Sequence, residues 1–149
     1  MNTLKMKCLP LFLLATIGFL FAACKGNEPT QNNSNDLEGY ITLKMRNVDN
    51  GNTWLQLPDV SCFHISSANN FQVYVGEIVD VGTKNLSKIK SLPTTGWAYE
   101  VEVQPKHGYI YKYDSWNIYL KVKVIDFIYS TSGGIIGAEM KYCEWTPEQ

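Results

Sequence analysis

Apolar and polar residues alternate along most of the chain after residue 39. Every second residue is apolar or aromatic in four longer stretches, residues 41–46, 97–104, 116–124 and 136–142. An alternation with a period of two is typical of β-strands that bury one face. Shorter strands are predicted for residues 53–57, 61–65, 71–75, 77–81 and 109–113. Only residues 85–91 have a spacing that favours a helical turn, so the pattern predicts an all-β fold.

Turn-forming residues separate the predicted strands. Residues 49–52, Asp-Asn-Gly-Asn, tolerate positive φ and are expected to close a hairpin between the first two strands. Short turns between strands favour antiparallel neighbours. The alternation changes phase at Val124 and Ile125, as it does at a β-bulge in a long strand. The chain is therefore predicted to fold as a small antiparallel β-sandwich or partly closed barrel of about seven to nine strands.

The first 24 residues have the order of parts found in a bacterial secretory signal. Two lysines precede an apolar run over residues 9–21, and small residues end at Ala23, directly before Cys24. The uncharged run from Cys8 to Cys24 is 17 residues long, and a membrane-spanning helix needs about 20. The pattern predicts cleavage after Ala23 and attachment of diacylglycerol and a further acyl chain, such as palmitate, to Cys24. A plain secreted protein and an uncleaved membrane anchor are the alternatives.

The segment after Cys24 is polar and rich in Asn, Ser, Gly and Pro. Such a composition predicts a flexible tether with a reach of about 20 Å. The predicted organisation is a signal peptide over residues 1–23, the lipidated cysteine and tether over residues 24–38, and one β domain over residues 39–149.

The charge of the processed chain bears on its partners. Removal of the signal peptide, with its two lysines, leaves 11 basic and 14 acidic residues, a net charge of −3. A mildly acidic domain without a basic cluster argues against nucleic acid as a partner. We expect the protein to be held by its lipid in the outer membrane of a Gram-negative bacterium. The domain could lie on the periplasmic side or on the cell surface, and the sequence does not decide between the two.

Two C-terminal segments carry a family resemblance. Residues 96–113 read GWAYEVEVQPKHGYIYKY, and residues 119–145 read YLKVKVIDFIYSTSGGIIGAEMKYCEW. The Gly-Trp strand, the Pro-x-His-Gly-Tyr turn and the STSGGIIGA hairpin resemble those of a group of small Bacteroidota lipoproteins of unknown function. The sequence departs from that pattern at Lys106 and at residues 143–145. The resemblance implies a lipidated precursor with a single β domain, and it carries no activity over to this chain.

The two histidines lie far apart in the sequence and form no ligand pair, so we predict no metal, cofactor or catalytic site. His107 follows Pro105 in a turn, where its ring is expected to brace the turn, with ligand contact as the alternative. His64 is expected to share a strand face with Val60 and Cys62 and to be satisfied by a neighbour.

Two cysteines fall within the predicted domain. Cys62 and Cys143 can pair in an exported protein, because exported proteins meet oxidising conditions. The alternation places Cys143 on the same outward face as Glu139 and Lys141. Two free thiols are therefore the alternative to a disulfide.

Aromatic residues are the feature that stands out in the domain. Tyr109, Tyr111 and Tyr113 fall on one face of a predicted strand, while Tyr74 and Tyr119 lie opposite the apolar residues of their own strands. Flat tyrosines on a sheet can stack on sugars or on protein partners, and packing in the core is the alternative. These five tyrosines and His107 are the candidate ligand-binding residues.

The carboxylates Glu100 and Glu102 share one strand face, where they are expected to face Lys121 and Lys123 across a neighbouring strand. We interpret them as a solvated ion-pair face and not as a catalytic pair.

These observations predict a membrane-anchored, non-enzymatic lipoprotein. The favoured partner is an envelope protein, with the domain as an interaction or accessory module. The alternative is a surface lipoprotein that binds carbohydrate. A row of exposed, coplanar aromatic rings would favour sugar, whereas an unpaired edge strand would favour a protein partner.

Overall fold

Nine strands form two antiparallel sheets in the computed structural model, which describes residues 37–148. The strands are β1 (Ile41–Arg46), β2 (Trp54–Leu57), β3 (Val60–Ile65), β4 (Asn70–Val73), β5 (Glu77–Gly82), β6 (Glu100–Glu102), β7 (Gly108–Tyr113), β8 (Ile118–Tyr129) and β9 (Ile135–Glu144). One sheet has the order β1-β9-β8-β7-β5 and the other β2-β3-β4-β6. The all-β prediction is confirmed, and the two sheets form a small sandwich that is not closed into a barrel. The predicted cleavage after Ala23, the lipidation of Cys24 and the predicted tether up to residue 36 lie outside the described residues.

The main core lies between the two sheets. Aromatic side chains cross it, with ring centroids 5.0 Å apart for Phe63 and Phe71 and 4.9 Å apart for Phe71 and Tyr109. The alternating residues of β8 and β9 that point inward, such as Val122 and Met140, are fully buried in the same core. Burial of one face of each strand is the physical cause of the period of two in the sequence.

The phase change predicted in the last long strand is a β-bulge. Val124 pairs with Met140 of β9, and the next paired residue of β8 is Asp126, so Ile125 is the inserted residue. The bulge lets β8 continue to Tyr129 beside β9, with the opposite set of side chains turned inward.

The strand predicted for residues 97–104 is shorter in the structure, because this segment passes from one sheet to the other. Ala98 bridges Ile78 of β5 in the five-stranded sheet. Only Glu100–Glu102 pairs with β4 in the four-stranded sheet. A continuous alternation in the sequence is thus shared between two sheets.

The prediction of a hairpin at residues 49–52 is wrong, although a turn does form there. Gly51 and Asn52 have the positive φ angles of 114° and 37° that this composition favours. The strands on either side belong to different sheets, since β1 pairs with β9 and β2 pairs with β3. The helical turn expected near residues 85–91 is present as a short 3-10 turn, Leu86–Lys88, which the Asn85 side chain caps.

A second apolar cluster covers the outer face of the five-stranded sheet. Val79, Leu86 and Ile110 are buried there, and Trp97 and Trp145 pack against them. The connection between β5 and β6 supplies part of this cover. Parts of the five-stranded sheet are therefore buried on both faces. No helix within the described residues has the length and apolar character needed to cross a membrane.

Candidate functional site

Four side chains form a row across the outer face of the four-stranded sheet. Trp54 on β2 pairs with His64 on β3, His64 pairs with Gln72 on β4, and Gln72 pairs with Glu100 on β6. Directly opposed residues of antiparallel strands project to the same side of a sheet. Tyr74 follows Gln72 by two residues and joins the row through a ring contact with Trp54. We call these five residues the aromatic face.

A β-bulge in β3 places His64 on this face. The pairing shifts between Leu55 and Gln56, so that Cys62 is inserted between paired residues. Cys62 and Phe63 are both fully buried in the core. The next residue, His64, therefore points outward, and the expectation that it shares a face with Cys62 is wrong.

The aromatic rings meet at an angle. The ring centroids of Trp54 and His64 are 4.1 Å apart with an interplanar angle of 46°, and those of Trp54 and Tyr74 are 6.0 Å apart at 89°. Tyr74 is 72% exposed and Trp54 is partly exposed, whereas His64 is only 8% exposed. Trp54 and Tyr74 thus form two perpendicular walls, with the imidazole of His64 packed against the indole of Trp54.

The hydrogen-bonding capacity of His64 is incompletely used. Its Nδ1 atom is buried and has no partner among the described residues. Burial lowers the pKa of His64 below its ordinary value near 6.5, while the neighbouring Gln72 acts in the opposite direction. Burial therefore favours the neutral form of the ring. An unpaired buried polar atom costs about 1–3 kcal/mol, and such atoms are rare enough in folded proteins to need an explanation.

The polar end of the row is held in place by a neighbour. The side-chain amide of Asn70 donates a hydrogen bond of 2.8 Å, from Nδ2, to Glu100 Oε1. Glu100 and Glu102 lie in the four-stranded sheet, whereas Lys121 and Lys123 lie in the other sheet. The expected pairing of these carboxylates with the two lysines is therefore wrong.

Two of the predicted ligand-binding tyrosines are core residues. Tyr109 and Tyr111 are fully buried, so the prediction that they contact a ligand is wrong. Tyr109 Oη donates to the Glu102 carbonyl and accepts from the Gln104 amide, both at 2.8 Å. Tyr111 Oη donates to the Val75 carbonyl at 2.7 Å. Burial raises the pKa of both hydroxyls, and their role is to connect β7 to the segments around it.

The other predicted residues do not join Tyr74. Tyr113 is partly buried and stacks on Trp116, with ring centroids 6.1 Å apart and an angle of 25°. Tyr119 is partly buried at an open depression of about 550 Å³ beside the C-terminal segment. His107 Nδ1 lies 2.9 Å from Asp80 Oδ2. This contact braces the turn before β7, since Asp80 also accepts a hydrogen bond from the Gly82 amide.

The cysteines are not joined to each other. Cys62 carries a free thiol, so the predicted Cys62–Cys143 disulfide is wrong. Burial raises the pKa of the Cys62 thiol to about 11, which leaves it a protonated core residue at neutral pH. Cys143 lies on the outer face of the five-stranded sheet, as the alternation predicted, but the second apolar cluster is on that face and Cys143 is buried.

A buried lysine is the second unusual feature of the structure. Lys121 is 5% exposed, and its ammonium group lies 4.1 Å from the ring centroid of Trp145. Burial, reinforced by Lys90, lowers the pKa of Lys121 to about 8, and Glu148 opposes the shift. Trp145 Nε1 is buried without a partner among the described residues. This group supports the C-terminal segment, whose Glu148 amide donates to the Lys90 carbonyl at 2.7 Å.

Sequence reasoning missed Trp54, His64, Gln72 and Glu100 as members of one site. Each lies on a different strand, and only the pairing register brings them together. Comparison with protein-family models, curated proteins and solved structures finds no match. The resemblance to the small Bacteroidota lipoproteins stays a prediction. Within the described residues, no group of three or more His, Cys, Asp or Glu side chains is placed to hold a metal ion.

Proposed function

We propose that this protein is a lipid-anchored, non-enzymatic binding protein of the bacterial envelope, which holds its ligand on the aromatic face. The observation that supports this function is the exposed ring of Tyr74 beside Trp54, at one end of a row of polar side chains. Tyr74 and the partly exposed Trp54 leave apolar surface in water on this sheet face unless a ligand covers it.

The proposed anchor gives this surface a place to act. A processed Cys24 with two or three acyl chains is retained by the bilayer, because each buried methylene contributes about 0.8 kcal/mol. The predicted tether after Cys24 would give the domain a reach of about 20 Å from the bilayer. The ligand is then a component of the envelope, or a molecule that reaches it, within that distance.

A protein partner docked on β1 is the second candidate function. Within the described residues β1 pairs with β9 on one side only. Its first residue, Ile41, is 57% exposed. The backbone amide of Asn47 donates to the Ile136 carbonyl, so Asn47 bonds towards β9. In an antiparallel pair, every second residue bonds to the neighbouring strand, and the residues between them direct their backbone groups to the other side. The backbone amides and carbonyls of Thr42 and Lys44 therefore point to the free edge of β1. An added strand from a partner would pair there.

One experiment distinguishes between the two candidate functions. The full lipidated chain, with a C-terminal tag, is cross-linked in intact envelopes, and the captured material is analysed for protein and for sugar. Tyr74→Ala removes an exposed ring of the aromatic face, and Thr42→Pro removes an amide from the free edge of β1. Tyr129→Ala is the control, because Tyr129 is 55% exposed on the other sheet.

We expect Tyr74→Ala to reduce capture and Thr42→Pro and Tyr129→Ala to leave it unchanged. Loss of capture with Thr42→Pro alone would favour the protein-docking function. Capture at the wild-type level by all three variants would contradict both candidate functions.

A further inference from the structure

The shape of the aromatic face restricts the ligands that fit it. The rings of Trp54 and Tyr74 are perpendicular, so they form a corner and not a flat platform. The coplanar pair expected for stacking on a flat carbohydrate polymer is therefore not formed by these two rings. A corner suits one saturated ring that lies against one aromatic face and meets the other edge-on. Polarised C–H groups of such a ring are attracted to the negative face of an aromatic ring.

The polar members of the face match the hydroxyl groups of a sugar. Gln72 offers an amide donor and acceptor, and Glu100 offers carboxylate acceptors. Both side chains are exposed and lie in the same row as Trp54. Asn70 fixes one Glu100 oxygen at 2.8 Å and thereby orients the carboxylate. Small-molecule sites commonly combine aromatic walls with a few oriented polar groups of this kind.

His64 lies at the junction of the aromatic and polar halves of the face. The residue is more than nine-tenths buried, and it lies between Trp54 and Gln72 in the row. Its Nδ1 is unpartnered within residues 37–148. Because this atom is buried, the imidazole acts on a bound ligand through the Trp54 ring that it packs against.

The size of the face favours a small ligand over a protein. Three strand spacings separate β2 from β6, and four residues separate Asn70 from Tyr74 along β4, so each dimension is about 14 Å. The corresponding area is about 200 Å². A stable protein interface takes about 800 Å² from each partner, which is several times larger.

The charge of the face selects among sugars. Glu100 and the adjacent Glu102 are exposed carboxylates, and no lysine or arginine belongs to the row. An acidic sugar would bring a like charge close to these groups. A neutral sugar meets no such repulsion.

We infer that the aromatic face binds a neutral carbohydrate, with Trp54 and Tyr74 as stacking walls and Gln72 and Glu100 as partners of its hydroxyl groups. This inference rests on the proposed function and names the ligand class of that site. His64 is a positioning residue, because it packs against the Trp54 ring.

An array of neutral and acidic glycans, probed with the full lipidated chain, tests the inference. The chain is kept in a detergent without a sugar headgroup, so that the detergent does not compete. Neutral hits are then titrated against Tyr74→Ala, Tyr74→Phe and Glu100→Gln, with Tyr129→Ala as the matched control. We expect binding to weaken about tenfold with Tyr74→Ala and to be retained with Tyr74→Phe, because the ring carries the contact. Glu100→Gln should weaken binding, and Tyr129→Ala should not.

Two outcomes would overturn the inference. One is an array without neutral hits, and the other is neutral binding that Tyr74→Ala and Glu100→Gln leave unchanged. If envelope capture still depends on Tyr74 in either case, the aromatic face binds another class of ligand and the proposed function stands. If capture is also independent of Tyr74, the proposed function fails with the inference. Because Tyr74 is exposed, its replacement does not put the fold at risk, and thermal unfolding of each variant verifies this.

Discussion

Lys121 lies against Trp145, with its ammonium nitrogen 4.1 Å from the ring centroid, in a part of the five-stranded sheet that is covered on both faces. The contact offsets part of the cost of burying the charge, since a cation over an indole face is attracted to it. Even so, the pKa of Lys121 falls to about 8.

This relationship predicts a pH dependence of stability. The ordinary pKa of lysine is near 10.5, so between pH about 8 and 10.5 the unfolded chain binds more protons at this position than the folded protein. The free energy of unfolding therefore rises with pH through this window as far as Lys121 contributes. Lys121→Met should remove this contribution, which is on the order of 1–3 kcal/mol.

Urea unfolding of both proteins at pH 7.5 and at higher pH measures the effect. The buried Cys62 thiol, with its pKa raised to about 11, acts in the opposite direction in both proteins. The difference between the two proteins therefore isolates Lys121. Lys44→Met serves as the control, because Lys44 is exposed. Equal pH slopes for wild type and Lys121→Met would show that the lysine is hydrated in solution.

Tyr109→Phe should destabilise the domain by about 1–3 kcal/mol. The hydroxyl of Tyr109 donates to the Glu102 carbonyl and accepts from the Gln104 amide, and its loss leaves both backbone groups without this partner in a partly buried place. Chemical denaturation measures the change. Tyr129→Phe, at an exposed position, should change stability by less than about 0.5 kcal/mol. A similar small effect at Tyr109 would mean that water replaces the hydroxyl.

Gly137→Ala should also be destabilising, because β1 packs too closely for a side chain. A Cβ atom at Gly137 would clash with the Met45 carbonyl oxygen of the neighbouring strand. Forcing extra atoms into such a contact typically costs about 1–3 kcal/mol and occasionally more. At Gly134 the nearest atom to a new Cβ is Ser130 Oγ at 3.6 Å, so Gly134→Ala is the matched control. Equal melting temperatures for the two variants would contradict the predicted close approach of β1.

Cys24→Ala should leave the precursor uncleaved and unlipidated, because the thiol of Cys24 is the predicted site of lipid attachment. Mass spectrometry of the purified chain and fractionation of the envelope measure the two effects. Lys25→Ala is the control, since a change next to the cysteine leaves the thiol in place. A processed product that stays in the membrane without Cys24 would disprove the anchor.

Strand positions were predictable because burial of one strand face produces a local alternation of apolar and polar residues. The alternation in residues 136–142 predicted most of β9, and the phase change at Val124 and Ile125 predicted its partner's bulge. The bulge at Cys62 could not be predicted in this way, because Cys62, Phe63 and Ile65 are all apolar. Where neighbouring residues are all apolar, a one-residue shift in the alternation does not change the sequence pattern. The face of His64 was therefore assigned wrongly.

The sequence alone determined the period of two, the turn residues and the signal-like start, because each depends on a residue and its near neighbours. Only the tertiary structure decided which strands pair, and with them the site. Trp54, His64, Gln72 and Glu100 are spread over 47 positions of the chain, and hydrogen-bond register between four strands aligns them in one row. Register depends on how two sheets close over a shared core, and no local pattern in the chain specifies that packing.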